Sequence, residues 1–393
     1  MSNNKKAMLI FGGSDFQLSL IKQCKSMGFY TVVIDPNPNA IGKEYADAFE
    51  IVGGQDFEGT CKVVEEYNIN AITTAATDKP LVMMARIAKK YGFKFFSEET
   101  AKLSTDKFLM KQKLTDIGLA FAKGEIIESD THKLNYPIVI KPTDNSGSRG
   151  VIFCENKDDL KTVFKESKQY TNKAYLLAEE FIDGKEYSIE SLHFNGKSKI
   201  IQITEKIVTP LPYFIELGHI QPAILEKNVY EKLEYMLDKA TKAFGFENCG
   251  AHNEVKIKNG KITIIEISPR IGGDFISSKL VKASTGINME KALLQIALGE
   301  EPNFSESKQA ASGIFFFYFE HGIISEINDV KSILSIPEII DYSFNLKLGD
   351  IIPKIVTGHD RYGYFILQAE NREKLLSLKE NIFNQIKVKV DKL

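Results

Sequence analysis

Short apolar runs (AMLIF, YTVVID, AITTA) alternate with segments of helical period (FQLSLIKQCKSMG, TCKVVEEYN, KPLVMMARIAKKYG) from residue 7 to about 98. That alternation predicts a parallel sheet with crossover helices, a doubly wound α/β unit over residues 1–98. After the helical connector SEETAKLSTDKFLMKQKLTDIG the pattern changes to strand pairs between about 121 and 208, with one helix near DDLKTVFKES. A long helix, VYEKLEYMLDKATKAFG, then precedes the hairpin AHNEVKIKNGKITIIEIS, and helical stretches run to about residue 299. From Ala311 onward strands return, SGIFFFYFEHG, IIDYSFNL and YFILQAE, followed by the helix REKLLSLKENIF. The best linker candidate is LGEEPNFSESKQ, so three units are expected: 1–98, 99–308 with a subdomain at about 120–182, and a small α+β unit over 309–393.

A chain of 393 residues with 43% hydrophobic positions fits several cores rather than one. Fifty basic against 52 acidic residues leave a net charge of −2 and no basic stripe, which argues against a nucleic-acid partner. The start, MSNNKKAMLIFGG, has too short an apolar run for a signal core or a membrane span, so a soluble cytoplasmic protein is expected. Cys24, Cys61, Cys154 and Cys249 are scattered, with no C-x-x-C pair; they read as buried thiols, not as a disulfide framework or a zinc site.

Several stretches carry chemistry. IFGGSDFQLS sits at a strand-to-helix turn with Asp35 about twenty residues on, but two glycines where a dinucleotide fingerprint needs three favour a scaffold turn over NAD or FAD binding. In IVIKPTDNSGSRGV, Lys141 ends a strand and a loop of small residues follows, including Ser146, Gly147 and Ser148. Such a loop can lay backbone N–H groups over phosphates, although alone it is ordinary turn chemistry. The run YLLAEEFIDGKEYSIESLHF places Glu186, Ser188 and Glu190 on one strand face, either at a solvated edge or in a site.

The hairpin AHNEVKIKNGKITIIEIS makes a geometric demand. A two-residue Asn-Gly turn would pair Glu254 with Ile265 and turn Glu266 to the opposite face, whereas a three-residue turn, Lys258-Asn259-Gly260, brings His252, Glu254, Glu266 and Ser268 to one face. The three-residue turn is therefore expected, with Glu254 and Glu266 as diagonal neighbours able to share Mg²⁺ or Mn²⁺. Arg270 follows directly, suited to charge on a transferring phosphoryl group.

Together DKFLMKQKLTDIGL, VIKP, DNSGSRGV, AEEFIDGKEYSIE, NEVKI and IEISPRIGG, in this order over roughly residues 100–285, resemble the ATP-grasp superfamily. The resemblance implies an α/β (α+β) fold of three parts: an N-terminal α/β domain, a two-lobed ATP-grasp domain and a small C-terminal domain. Carried over residue by residue, it implies that Lys107 and Lys141 neutralise ATP phosphates under the loop of Ser146, Gly147 and Ser148. Glu179, Glu180 and the Ile182 backbone would flank adenine, Glu186 the ribose, and Glu254 with Glu266 the metal. Ser268 stands where the family usually has asparagine in E-x-N-P-R, which weakens its claim as a third ligand.

TEKIVTPLPYFIELGHIQPAIL and GAHNEVKI look most like the L-amino-acid ligase branch, which joins a carboxylate to an amine and releases ADP and phosphate. That likeness implies small carboxylate and amine substrates, with Glu216, His219 and Arg270 near them. The same family is the sole reason to expect a homodimer. Purine-pathway ligases of the phosphoribosylamine–glycine type, carboxyphosphate-forming carboxylases and an ATP-binding regulatory protein without turnover are the alternatives.

Overall fold

The computed structural model describes residues 5–145, 147–302 and 308–393. The first strands, β1 (Ala7–Phe11), β2 (Tyr30–Ile34), β3 (Ala48–Glu50) and β4 (Ile69–Thr73), form a parallel sheet in the order β3-β2-β1-β4. Every residue of β1 is buried, as a strand covered by helices on both faces must be. Asp35 accepts the Gly13 N–H at 2.8 Å, and Gly42 packs so closely that an added Cβ would lie 2.8 Å from the Gly13 carbonyl oxygen.

Four further strands, β5 (Gly124–Ile127), β6 (Ile138–Lys141), β7 (Ile152–Cys154) and β8 (Leu176–Glu180), build an antiparallel sheet in the order β5-β8-β6-β7. One helix, Lys157–Lys168, covers it, started by Asn156, whose side chain accepts from the N–H groups of Asp158 and Asp159.

The largest sheet collects β9 (Lys185–Phe194), β10 (Lys197–Val208), β11 (Glu216–Gln221), β12 (Cys249–Lys258), β13 (Lys261–Ser268) and β14 (Ala311–Phe316). After β15 (Gly322–Ile327), the strands β16 (Ile339–Phe344), β17 (Ile351–Ile352), β18 (Gly363–Ala369) and β19 (Val388–Asp391) complete the chain. The order β13-β12-β9-β10-β11-β14-β18-β16 shows the main sheet running unbroken from the central residues into the C-terminal ones, through pairs such as Gly218 with Phe315. Structure from both ends of the chain thus abuts the sheet that carries the site. All four cysteines are free and buried. Among the described residues no helix is long and apolar enough to cross a membrane.

The helix Met289–Ala297 docks on the N-terminal helix Asp15–Ser26, and at this contact Glu290, 3% exposed, accepts a 2.8 Å hydrogen bond from the Ser19 hydroxyl. Burial pushes its carboxyl up to about 7 from an ordinary 4.5. The folded protein therefore holds a proton that the unfolded chain releases near pH 4.5, and stability falls as pH rises from there to about 7. Glu290→Gln is expected to raise stability at pH 8 by on the order of 3 kcal/mol relative to its effect at pH 4.5. Thermal melts at the two pH values check this; an equal shift at both would refute it.

Candidate active site

Three strand faces converge on one cavity of about 290 Å³. On β12 and β9 the pairs His252 with Glu190, Glu254 with Ser188 and Lys256 with Glu186 are in register, so even-numbered side chains of both strands share a face. Ser188 and Glu190 have no solvent exposure; this face is the inside of a sheet, not a solvated edge.

The hairpin after β12 corrects the expected turn. Lys258 pairs with Lys261, so the turn has two residues, Asn259 and Gly260, with φ 49° and 72° as a type I′ turn requires. That register alone would send Glu266 to the far face. A bulge intervenes: Val255 still pairs with Ile264, but Glu254 pairs with Glu266, leaving Ile265 without a partner. The one-residue insertion does what the longer turn was expected to do, and Glu254 and Glu266 stand directly opposite each other rather than diagonally.

Like charges facing across a ladder repel. Here cations separate them. Lys206 of β10 lies 2.7 Å from Glu254, 2.7 Å from Glu186 and 3.5 Å from Glu216, with its own side chain 3% exposed. Lys107 lies 3.6 Å from Glu266. Burial works against the ammonium of Lys206, but the three carboxylates outweigh it and hold its pKa well above the usual lysine value. Burial likewise opposes the Glu254 carboxylate, yet Lys206 and His252 hold it well below the ordinary range. His252 is wedged between Glu190, fully buried, and Glu254, 3.3 Å away; despite burial, Glu190 raises it to about 9, so it is an imidazolium at neutral pH.

Lys141, which lines the cavity, and Lys111 each lie 2.7 Å from Glu179, whose carboxyl they hold low against the cost of burial. Glu179 is thus a counter-ion of the lysines, while Glu180, Ile182 and Glu186 line the cavity beside it. Lys107 opens the helix Lys107–Asp116, whose first N–H groups are capped by Asp106. Its ammonium donates to the Asn145 carbonyl at 3.2 Å, tying the helix to the glycine-punctuated loop. Gly147 and Ser148 also line the cavity, with φ 67° and 55°; Ser146 lies outside the described residues.

Glu216 and His219, both on β11, line the same cavity, as does Arg270. Arg270 is gripped by Asp78 of the N-terminal unit, Nε to Oδ1 at 3.0 Å and a terminal nitrogen to Oδ2 at 3.2 Å. Ser268 donates to the same Oδ1 at 2.7 Å, so its hydroxyl is turned to Asp78. His219 Nε2 lies 3.5 Å from Asp274, which Arg361 clamps.

Sequence reasoning missed Lys206, Asp78, Lys111 and Arg361. Lys111 had a signal, sitting four residues after Lys107 on one helix face, whereas Lys206 lies in a strand that also carries Lys197, Lys199 and Glu205 and does not stand out. Asp78 and Arg361 had none, because their partners are 192 and 87 residues away.

Among the described residues no group of three or more His, Cys, Asp or Glu side chains could hold a metal by itself. Mg²⁺ does not need one, since it is commonly held by one or two carboxylates with substrate phosphates completing the shell. Two facing carboxylates beside a lysine fit that pattern; the ordinary three-ligand zinc site does not arise.

Residues 134–279 match the ATP-grasp domain family. Residues 315–391 match the family described as L-amino acid ligase C-terminal domain 2. It is 27% identical over 270 residues to an alanine–anticapsin ligase of Bacillus amyloliquefaciens, covering 61% of this chain and 56% of that enzyme. It is 24% identical over 322 residues to an L-arginine-specific L-amino acid ligase of Bacillus subtilis, covering 77% of each. The crystal structure of an L-amino acid ligase from Bacillus licheniformis shares the fold, with a TM-score of 0.83 and 20% identity, over 99% of this chain and 100% of that one.

Proposed function

We propose that this chain is an ATP-dependent carboxylate–amine ligase acting on amino acids. The observation that carries the reading is one cavity lined by Lys107, Lys141, the facing pair Glu254 and Glu266, Glu216, His219 and Arg270, with Glu216 and Glu254 sharing Lys206 as counter-ion. A carboxylate oxygen of the first substrate attacks the γ-phosphorus of ATP in line, forming the acyl phosphate as the bond to ADP breaks. The amine of the second substrate then adds to the acyl carbon, phosphate leaves, and the nitrogen gives up a proton. Such chemistry depends on positioning and charge neutralisation more than on an acid–base pair.

Lys107 and Lys141 would neutralise triphosphate oxygens, and Glu186 would accept from ribose hydroxyls. Glu254 and Glu266 would hold Mg²⁺, which when bound offsets the charge of the phosphates. Arg270, its fork directed by Asp78, would face the phosphoryl group or the acyl phosphate. Glu216 and His219 are the groups on β11 able to accept the proton of the amine.

A screen of ADP release over pairs of amino acids with Mg²⁺ tests the reading. Release that requires both partners and falls at least about 10²-fold in Glu266→Gln is expected. Release without dependence on any amino acid, or equal in that variant, would defeat it.

A further inference from the structure

Gly358, His359 and Arg361 line the cavity from a turn of the C-terminal unit, and that turn is built to present one side chain. Asp360 accepts from the N–H of Val356 at 3.0 Å, the N–H of Thr357 at 2.6 Å and the Thr357 hydroxyl at 2.9 Å, closing a capping box over the single helical turn Gly358–Asp360. The next residue is Arg361. Its Nε returns to the Gly358 carbonyl at 2.8 Å, and its two terminal nitrogens grip Asp274 at 2.7 and 2.8 Å. One of them also donates to the Glu216 carbonyl at 3.3 Å, and the guanidinium plane lies 3.7 Å from the centre of the Phe316 ring.

The grip lands on a stretch of backbone that needs holding. Asp274 and Phe275 have φ 45° and 59°, two consecutive side-chain-bearing residues in the left-handed region. Such residues persist where surrounding structure over-determines them. Asp274 also faces His219 at 3.5 Å, and four residues earlier on the same loop Arg270 is held from the N-terminal side by Asp78. The loop from Arg270 to Phe275 is thus tied by one bidentate ion pair to each end of the chain.

We propose that Arg361 is a positioning residue through which the C-terminal unit sets the substrate-binding part of the site: it locks Asp274, and through Asp274 it places His219 and the loop that bears Arg270. Arg361 does not itself meet the reacting atoms. The inference rests on the ligase reading above, and it makes the C-terminal unit a part of the active site rather than an appendage.

The test compares wild type with Arg361→Ala, Arg361→Lys and the double variant Arg361→Ala with Asp274→Asn. Nucleotide affinity is measured by calorimetric titration of ATP with Mg²⁺, and turnover by ADP release with the best amino-acid pair. Arg361→Ala is expected to keep ATP affinity within about twofold and to lose about 10²-fold in kcat/KM for the amino acids, the size of loss that misplaced substrates bring. Added guanidinium ion should restore at least part of that loss. The double variant should be no worse than the single one, because both remove the same clamp. Arg361→Lys, which keeps the charge but not the fork, should fall near alanine. Hydrogen exchange should quicken in peptides over 270–276 but not over 138–145.

An active wild type with Arg361→Ala within twofold of it overturns the inference alone. So does a parallel loss of ATP affinity, or an additive double variant without guanidinium rescue. A wild type that binds ATP yet releases no ADP with any pair overturns the ligase reading and this inference with it.

Discussion

Arg270→Lys is expected to lower kcat/KM by about 10³-fold while the protein stays folded and still binds ATP. A lysine supplies the charge but cannot reproduce the two-point grip on Asp78, at 3.0 and 3.2 Å, that aims the guanidinium. Arg270→Ala goes further, for it strands Asp78, whose carboxyl Arg270 holds below its usual range against the cost of burial. Breaking a buried pair on one side costs about 3–5 kcal/mol. In that variant the pKa of Asp78 should rise, so the lost stability returns as pH falls and the carboxylate takes a proton. Steady-state ADP release for the lysine variant and melts of the alanine variant at pH 8 and pH 5 decide both parts. A lysine variant within tenfold of wild type would remove Arg270 from the reaction.

Lys206→Met should be the most destabilising substitution in the site. Lys206 is the shared counter-ion of Glu186, Glu216 and Glu254, and methionine of similar length leaves three carboxylates facing one another in a buried space. A loss of about 3–5 kcal/mol at pH 8 is expected. The sign follows from its raised pKa: the stabilisation by Lys206 is fully present below the unfolded lysine value of 10.5 and is lost only as pH climbs through the higher folded value. The variant should instead gain stability as pH falls into the carboxylate range. It should also be rescued by millimolar Mg²⁺ more than wild type is, because a divalent cation can partly replace the missing charge. Urea unfolding at pH 8, with and without Mg²⁺, measures both effects, and a variant as stable as wild type would show that the cluster is not held by this lysine.

Much of the site was legible where chemistry and period coincide locally. Glu186 and Glu190 on β9, and Glu254 with His252 on β12, share faces because side chains alternate along a strand, and the register between those strands keeps them together. Lys107 was singled out only through the ordered set of motifs that resembles the ATP-grasp superfamily; its place at the start of a capped helix came from the structure. The hairpin shows where such reading stops. Asn-Gly is a two-residue turn signal and proved to be one; the facing of Glu254 and Glu266 was anticipated correctly but for the wrong reason, since a bulge at Ile265 carries the shift. No local composition marks that bulge.

Alternation of apolar and polar positions was enough to determine the parallel N-terminal unit, the strand pairs and the shared faces of Glu186 with Glu190 and of His252 with Glu254. It acts within a few residues, so it can be read along the chain. The tertiary structure alone decided that Glu179 neutralises lysines, that Lys206 sits among three carboxylates, and that Asp78 and Arg361 hold one loop from opposite ends of the chain. Those contacts join residues as far as 192 positions apart. A buried charge must find an opposite one wherever the fold brings it, and that requirement leaves no period or spacing in the sequence.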